Sequence, residues 1–251
     1  MTVLLLRLCG PMQAWGTQSR FTMRDTGLEP SKSGVIGLIC AALGRPRSEP
    51  VDDLAALRMG VRVDREGVMK REYQTAGGVH RRGEKYGVIT ADGKPGDTVT
   101  SNRYYLADAD FLVGLEARDE PGAALLRDIN AALRKPHWQL FLGRKACPPS
   151  VPVCLPDEDG LVQDLPLLNA LMAYPWPRLG APIPPESKRL DRLRFVLETD
   201  YGVGPETRHD QPEGAAFSTR HPLPRSVETI FKDLGREVPI RKENAPCSSP
   251  A

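Results

Sequence analysis

Two segments of the chain carry apolar residues at helical spacing. Residues 33–43 have them at positions 35, 36, 38, 39, 42 and 43, and residues 121–133 have them at 124, 125, 129, 132 and 133. Because this spacing gathers apolar side chains on one side of a helix, both segments are predicted α-helices. Ser31 or Ser33 is a natural N-cap for the first helix, and Gly44 is placed to end it.

Short runs of β-branched and leucine residues predict the strands. They lie at Thr2–Leu8, within Gly60–Ala76, at Phe111–Leu115 and at Trp138–Leu142. With the two helices, the order becomes β-α-β, a long excursion, then β-α-β. We therefore predict an α+β protein with a ferredoxin-like domain, in which two helices back an antiparallel sheet. The RNA-recognition-motif fold shares this plan, but its aromatic signature is absent here, and fold analogy alone does not establish RNA binding.

The excursion at residues 77–98 is too long for a simple hairpin loop. It contains His80, Arg81, Arg82 and Lys85, followed by an Asp92-Gly93 turn between two short β-prone runs. This pattern predicts an extended hairpin arm, which would lie across a nucleic-acid backbone or reach a neighbouring subunit. A solvated loop with no partner is the competing interpretation.

Prolines crowd the chain after Pro148 and Pro149. We therefore expect a domain at residues 1–149, a smaller irregular lobe at 150–241 and a disordered polar tail at 242–251. Within the lobe, residues 165–173 predict a helix and residues 193–199 a strand.

Composition excludes several classes of protein. The 251 residues contain no apolar run long enough to span a membrane, and Thr2–Leu8 is too short for a signal peptide, so we expect a cytoplasmic protein. The five cysteines are odd in number and form no CxxC pair, which argues against a disulfide framework and a zinc site. Reduced cysteines packed mostly in the interior are expected instead, with no metal and no cofactor.

The net charge is only +2, but charge is unevenly distributed. Residues 1–48 and 134–145 are basic, whereas residues 107–128 are acidic. This distribution suits a polyanion bound along one face, with other faces left for protein partners. An ordinary solvated surface gives the same composition.

The segment Pro30–Gly37 predicts a phosphate site. A helix start presents unpaired N–H groups and a partial positive charge, and Ser31, Lys32 and Ser33 add two hydroxyls and a cation. An ordinary capped helix is the alternative.

Gly143, Arg144 and Lys145 form a second basic turn. Met12 and Trp15 lie in a loop where they would stack on an unpaired base, although for Trp15 a buried loop anchor is an equal alternative. Trp138 is expected in the core.

Three short motifs follow one another along the chain. They are Gly10-Pro11-Met12-Gln13-Ala14-Trp15-Gly16, Glu29-Pro30-Ser31-Lys32-Ser33-Gly34-Val35-Ile36-Gly37 and Leu142-Gly143-Arg144-Lys145-Ala146-Cys147-Pro148-Pro149-Ser150. Gly77-Gly78 and Arg103-Tyr104-Tyr105-Leu106-Ala107-Asp108-Ala109 add to them. Together they resemble the CasD family, the fifth type of CRISPR-associated protein in the type I-E Cascade surveillance complex. The resemblance covers the first 150 residues well and the last 100 weakly.

This resemblance implies a modified ferredoxin-like RNA binder with a protruding β-hairpin thumb at about residues 77–98. It implies that the chain holds the 5′ handle of a CRISPR RNA and contacts a backbone subunit and the large subunit of Cascade. Target DNA would be touched at most indirectly or at its PAM-proximal end, since base pairing reads the sequence. The positions expected to contact RNA are Met12, Gln13, Trp15, Arg20, Ser31, Lys32, Ser33, His80, Arg81, Arg82, Lys85, Arg103, Gly143, Arg144 and Lys145.

The resemblance also implies a non-catalytic subunit, because a different subunit cuts the guide in type I-E systems. A metal-independent endoribonuclease that processes precursor CRISPR RNA is the alternative, with His80, Lys85 and Tyr86 as its candidate set on the arm. Residues His80, His137, His209 and His221 are the only histidines, and no HExxH or acidic two-metal cluster occurs. A phosphate-binding metabolic enzyme has little support, since neither GxxxxGK[ST] nor GxGxxG is present.

Overall fold

The computed structural model describes residues 1–17, 22–79, 83, 85–86, 88–89, 93–94, 96, 98–156, 160–177, 181, 184–185, 190–214 and 222–241. Its strands are β1 (Thr2–Cys9), β2 (Met12–Gln13), β3 (Met23–Arg24), β4 (Arg58–Arg65), β5 (Val68–Ala76), β6 (Gly78–Val79), β7 (Lys85–Tyr86), β8 (Val99–Ala107), β9 (Asp110–Ala117), β10 (Leu161–Gln163), β11 (Arg192–Glu198), β12 (Glu206–Gln211) and β13 (Leu223–Asp233). Its helices are α1 (Lys32–Leu43), α2 (Asp52–Ala55), α3 (Glu120–Arg134) and α4 (Leu167–Ala173). The chain is a mixed α+β protein.

A seven-stranded antiparallel sheet organises the molecule, in the order β10-β1-β9-β4-β11-β13-β12. All eight residues of β9 are buried, as are seven of the eight in β1, because both faces of the sheet are covered. In β1, Leu4, Leu6 and Leu8 point into one core, and Val3 and Leu5 point into a second. This alternation explains why the segment is apolar at nearly every position.

The first core lies beneath α1 and α3, which pack against each other and against the sheet. The second lies beneath α4, which packs on β1, β4 and β9. Buried Arg62 on β4 fixes α4 there, since its guanidinium donates to the carbonyl of Leu171 at 2.7 Å and to that of Tyr174. An RNA-recognition-motif sheet leaves this face open, so RNA cannot reach the present sheet in that way.

A smaller sheet carries a long ribbon. Strands β5 and β8 pair over nine residues, from Val68 opposite Ala107 to Ala76 opposite Val99. Strands β2 and β3 pair with β8 as well. This ribbon begins at Val68, nine residues before the start predicted for the arm at residues 77–98. Strands β6 and β7 pair with each other in a separate two-stranded sheet. His80, Arg81, Arg82 and Asp92 lie outside the described residues.

Most predicted elements are confirmed, and one is wrong. Helices α1 and α3 lie within a residue or so of the predicted bounds, and α1 ends at Gly44 in the left-handed conformation. Residues 138–142 form no strand. The N–H groups of His137 and Trp138 instead donate to the carbonyls of Ala42 and Ala41 at the end of α1. As a result, Trp138 is 47% exposed rather than buried in the core.

The residues after position 150 do not form a separate lobe in the described part of the chain. They supply β10 to β13, and β11 pairs directly with β4 of the first half. The predicted helix and strand in this region are present as α4 and β11. The predicted tail at 242–251 lies outside the described residues.

The cysteines match the sequence-based expectation where the structure describes them. Cys9, Cys147 and Cys154 are buried, Cys40 is half-buried, and all four are free thiols. Burial raises the pKa of the Cys147 thiol, and the positive charge of nearby Arg144 opposes that rise. Across the described residues, no helix combines the length and apolar character needed to cross a membrane.

Candidate nucleic-acid interface

The start of α1 already holds an anion, and that anion belongs to the chain itself. Ser31 occupies the N-cap position, but its side chain makes no capping hydrogen bond. The backbone N–H of Lys32 donates instead to Oδ2 of Asp210, on β12, at 2.7 Å. Arg225 completes the arrangement by donating to both oxygens of the same carboxylate, at 2.6 and 3.0 Å. The helix terminus thus meets an internal carboxylate rather than open solvent.

The Lys32 side chain is buried as well. Its Nζ lies 2.8 Å from Oε1 of Glu198, and the side chain is 1% exposed. Oε2 of Glu198 accepts the backbone N–H of Met59 at 3.1 Å. Burial lowers the pKa of Lys32, and the pairing with Glu198 opposes that shift. Lys32 is therefore the internal partner of Glu198, and the prediction that it presents a cation at the surface is wrong. Ser33 follows it, half-buried, in the first turn of the helix.

Trp15 and Gln13 also point inward. Trp15 is 1% exposed, and its indole N–H donates to Oε1 of Gln13 at 3.0 Å. The amide of Gln13, itself wholly buried, donates to the carbonyls of Leu8 and Ala109. A Cβ at Gly34 would lie 2.8 Å from the Trp15 ring, so the ring packs directly on the helix backbone. Trp15 is thus the buried loop anchor, and stacking on a base is not possible in this arrangement.

The turn at residues 143–145 is built around Gly143 and Arg144. Gly143 has φ of +89°, and a Cβ there would lie 1.8 Å from the carbonyl oxygen of Ala14. The guanidinium of Arg144 donates to three backbone carbonyls, those of Tyr104 at 3.0 Å and of Arg24 and Asp25 at 2.9 Å. It also lies 4.9 Å from the centre of the Tyr105 ring. Arg144 therefore holds this turn against the smaller sheet.

The remaining residues predicted to contact RNA differ in their placement. Lys145 is exposed beside the clamped turn, and Met12 is 39% exposed on β2. Arg103 is half-buried on β8, where its Nε donates to Oγ of Ser101 at 3.2 Å. Arg20, His80, Arg81 and Arg82 lie outside the described residues, and of Lys85 only the backbone pairing in β7 is described.

Sequence reasoning missed the exposed side chains of the ribbon. Every residue of β5 except Gln74 is exposed, including Lys70, Arg71 and Tyr73, the last at 66%. The signal for them is a strand-forming run that mixes aromatic and basic residues without an apolar face. Arg24 is exposed on β3, opposite Arg103 in the ladder. The register places Arg24, Lys70 and Arg103 on one face of the smaller sheet and Arg71 on the other, since side chains alternate along a strand. Lys145 lies in the turn that Arg144 holds against this sheet. In the described part of the chain, none of these five forms an ion pair.

The described histidines do not make a catalytic set. The His137 ring packs on Gly44 and meets Trp138 edge to face, with ring centres 5.1 Å apart. His209 lies far along the chain on β12. Within the described ranges, no three His, Cys, Asp or Glu side chains are arranged to hold a metal ion.

Comparison with known proteins gives consistent matches. Residues 3–228 match the family described as CRISPR-associated protein (Cas_Cas5). The CRISPR system Cascade subunit CasD of Escherichia coli (strain K12) is 34% identical over 166 residues, which cover 61% of this chain and 69% of that protein. The solved structure "Crystal structure of Cas protein" is 42% identical, with a TM-score of 0.70 over 95% of this chain and 98% of that one. A chain of "CRISPR RNA-guided surveillance complex" is 31% identical, also with a TM-score of 0.70, over 92% and 90%.

Proposed function

Because the chain belongs to the Cas5 family of CRISPR-associated proteins, we propose that it is a non-catalytic, RNA-binding subunit of a Cascade-type surveillance complex. Two similar proteins carry the names of such an assembly, one as a Cascade subunit and one as part of an RNA-guided surveillance complex. The partners of this chain are then a CRISPR RNA and other protein subunits, in the cytoplasm. It has no role at a membrane.

The strand order supports a ferredoxin-like core. Strands β10-β1-β9-β4 and the connecting helices α1 and α3 follow the order 4-1-3-2 of that fold, with β10 as the fourth strand in place of residues 138–142. We assign the β5–β8 ribbon as the base of the thumb that the family resemblance implies. Strands β11 to β13 then extend the same sheet beyond β4.

The observation that carries the proposal is the clamp made by Arg144. By bonding to the carbonyls of Arg24, Asp25 and Tyr104, it joins three segments distant in sequence into one basic surface. Exposed cations on a fixed scaffold suit a sugar–phosphate backbone, whose charge is regular and independent of base sequence. We assign direct phosphate contact to Arg24, Lys70 and Arg103, which share one face of the smaller sheet, and to Lys145 in the adjoining turn. Gln13, Trp15, Gly143 and Arg144 position that surface, whereas Lys32 joins the start of α1 to β11 and β12.

We further propose that the bound segment is the 5′ handle of the guide, and that the chain links the backbone and large subunits at that end of the complex. A terminal segment is unpaired, so its backbone can follow a curved basic surface that a duplex could not. Target DNA is then read by pairing with the guide, and this chain meets it at most indirectly or at the PAM-proximal end.

The test compares two variants that each lose one positive charge. Lys145→Ala removes an exposed cation from the proposed surface, whereas Arg127→Ala removes one from an exposed pair with Glu120 on α3. We expect Lys145→Ala to weaken binding of repeat-derived RNA and to lower the slope of log affinity against log salt by about 0.7, the value for one phosphate contact on a single strand. Arg127→Ala should leave the slope unchanged. Equal slopes for both variants would contradict the proposed surface.

The non-catalytic assignment has its own test. The purified chain is incubated with labelled precursor repeat RNA in EDTA, and we expect the RNA to remain intact. Site-specific cleavage that disappears in His80→Ala would establish the endoribonuclease alternative instead.

A further inference from the structure

The main sheet and the smaller sheet meet along a narrow line. Three connections cross it side by side, each through two residues that belong to neither ladder: residues 10–11, 66–67 and 108–109. Among the described residues, one further segment, the loop at 25–31, connects β3 of the smaller sheet to α1. We call these four segments the junction. Because short connections absorb changes in φ and ψ, the orientation of the smaller sheet depends on what holds the junction.

Gln13 holds two of the junction segments from the inside. Its side-chain amide donates to the carbonyl of Leu8, near the end of β1, at 3.0 Å, and to the carbonyl of Ala109 at 2.9 Å. The N–H of Asp108 also donates to the carbonyl of Pro11 at 3.1 Å, which joins the same two segments directly. Gln13 is wholly buried, so this half of the junction is closed to solvent.

Arg194 of β11 holds the other two segments. Its Nε and Nη2 donate to the two carboxylate oxygens of Glu66, at 2.8 and 2.7 Å. Its Nη1 donates to Oε2 of Glu29 at 3.0 Å. Glu66 lies in the connection at 66–67 and Glu29 in the loop at 25–31, so one guanidinium bonds to both. Because β11 pairs with β4 in the main sheet, Arg194 ties both segments to that sheet.

The bridge at Arg194 depends on the shape of the arginine side chain. Its planar guanidinium offers a fork of N–H donors to one carboxylate and keeps another donor for a second. The Arg194 and Glu29 side chains are each 14% exposed, so salt screens their attraction less than it screens a surface pair. Glu29 also pairs with Arg208 of β12 at 3.1 Å. Glu66, which is 55% exposed, has Arg194 as its only ion-pair partner among the described residues.

The two segments that Arg194 bridges lead directly to side chains of the proposed phosphate surface. Lys70 lies on β5, four residues after Glu66. Arg24 lies on β3, five residues before Glu29. Both cations lie on one face of the smaller sheet. Cations that are in place before RNA arrives do not have to be ordered on binding, so the affinity depends on how firmly this sheet is oriented.

We propose that Arg194 is a positioning residue for RNA binding, which locks the smaller sheet onto the main sheet at the junction. It touches no RNA itself. Through Glu66 and Glu29, it holds the cations of β5 and β3 in a fixed relation to each other and to the main sheet. Without Arg194, the buried contacts of Gln13 remain, and the smaller sheet pivots about that side of the junction. The inference rests on the proposed function for its ligand, whereas the lock is a property of the free chain.

The distance between two spin labels tests the lock in the free chain. Nitroxides are attached through p-acetylphenylalanine at Thr75, exposed on β5, and at Asp128, exposed on α3, which leaves the native cysteines unmodified. We expect a narrow distance distribution in the unaltered sequence and a clearly broader one in Arg194→Gln. Arg192→Gln is the matched control, because it removes the same charge from the same strand and breaks an exposed pair with Asp233, outside the junction. An unchanged distribution in Arg194→Gln would overturn the inference.

RNA titrations measure the consequence for binding. Arg194→Gln should weaken binding of repeat-derived RNA by roughly tenfold, because the phosphate surface must then be ordered on binding. The slope of log affinity against log salt should equal that of Arg192→Gln, since neither variant loses a phosphate contact. A lower slope in Arg194→Gln than in Arg192→Gln would show that Arg194 touches RNA, and equal affinities would show that the lock has no bearing on binding. Either result would contradict the positioning role.

A double-mutant cycle with Glu66→Gln separates the lock from a general effect of charge. In the Glu66→Gln background, Arg194→Gln should cost less RNA affinity than it does alone, because one of its two partners is already lost. Additive losses would contradict the bridge through Glu66. If Arg194→Gln fails to fold, Glu66→Gln alone should still broaden the label distances, because Glu66 is at the surface.

A purely structural ion pair gives a different set of results. It would lower the melting temperature of Arg194→Gln but leave the label distances and the RNA affinity unchanged at temperatures where the variant is folded, which would overturn the inference. Failure of the unaltered chain to bind repeat-derived RNA would contradict the proposed function instead. In that event the label distances still decide whether Arg194 locks the two sheets together.

Discussion

Asp210 caps α1 from a strand 178 residues further along the chain, with its Oδ2 2.7 Å from the backbone nitrogen of Lys32. The same carboxylate receives both N–H groups offered by Arg225. One buried side chain thereby satisfies a helix terminus and a guanidinium at once, and it joins the start of the first helix to the last strands of the sheet.

We predict that Asp210→Ala lowers the free energy of unfolding by about 3–5 kcal/mol, because buried Arg225 loses its hydrogen-bonded carboxylate and keeps only the more distant Glu198, 3.8 Å away. Urea denaturation measures the loss. Asp210→Asn keeps the shape and one acceptor, so it should cost less. Glu206→Ala removes a half-buried carboxylate from the same strand, where it pairs with Arg208 near the surface. It should change stability by less than about 1 kcal/mol. If Glu206→Ala lost as much stability as Asp210→Ala, the Asp210 cap would contribute no more than another carboxylate on β12.

Lys32→Met should destabilise the chain rather than alter its salt-dependent RNA binding, because it removes the partner of partly buried Glu198. Calorimetry and the salt slope of RNA affinity separate the two effects. The double variant Lys32→Met with Glu198→Gln should recover part of the stability. A lowered salt slope in the single variant would show that Lys32 reaches a phosphate after all.

Lys32 also predicts a pH dependence. Burial lowers the pKa of Lys32 in the folded state below 10.5, the ordinary value for a lysine, which applies in the unfolded chain. Between those two pKa values the unfolded chain binds more protons, so this group's contribution to stability rises with pH up to about 10.5. Comparing unfolding of the native chain and Lys32→Met across that range isolates the contribution, which should be absent from the variant. Parallel pH profiles would contradict the assignment.

Arg144→Lys keeps the charge but loses the planar fork that bonds to three carbonyls. We predict that it behaves like Arg144→Gln: both lower the melting temperature, and both leave the salt slope of RNA binding unchanged. If Arg144 touched phosphate directly, lysine would preserve the affinity and glutamine would lower the slope. Melting curves and RNA titrations at several salt concentrations give the answer.

Two glycines predict opposite outcomes for the same substitution. Gly143→Ala places a Cβ 1.8 Å from the Ala14 carbonyl at a left-handed φ, so it should cost more than about 3 kcal/mol or prevent folding. Gly37→Ala lies in the interior of α1 with no atom within 4 Å of the added Cβ, so it should stabilise the chain by about 0.5–1 kcal/mol. Chemical denaturation of both variants tests the pair, and similar values would contradict the geometry.

The periodic elements could be predicted from the sequence because the pattern that defines them is local. Helices α1 and α3 have apolar residues at helical spacing, and Gly44 marks the end of α1. Strand β12 could not be found in this way. Its sequence, Glu206 to Gln211, is polar throughout because it lies at the edge of the sheet.

The neighbouring residues also could not show that the start of α1 is closed to an external anion. Ser31 and Lys32 have the sequence of an exposed anion site, and the residues that fill it, Asp210 and Glu198, are more than 160 positions away. Likewise, residues 138–142 have the sequence of a strand, but the N–H groups of His137 and Trp138 donate to carbonyls at the end of α1 instead. In each case a distant partner decided whether a polar or aromatic group faces water.

The pairing of β4 with β11 has a consequence for synthesis on the ribosome. More than 120 residues separate the two strands, so the hydrogen-bonding edge of β4 stays unsatisfied until the segment around Arg194 has left the exit tunnel. A chain released before that point would expose a buried-type strand edge to other nascent chains. Premature termination should therefore yield aggregates instead of a soluble fragment carrying the basic ribbon.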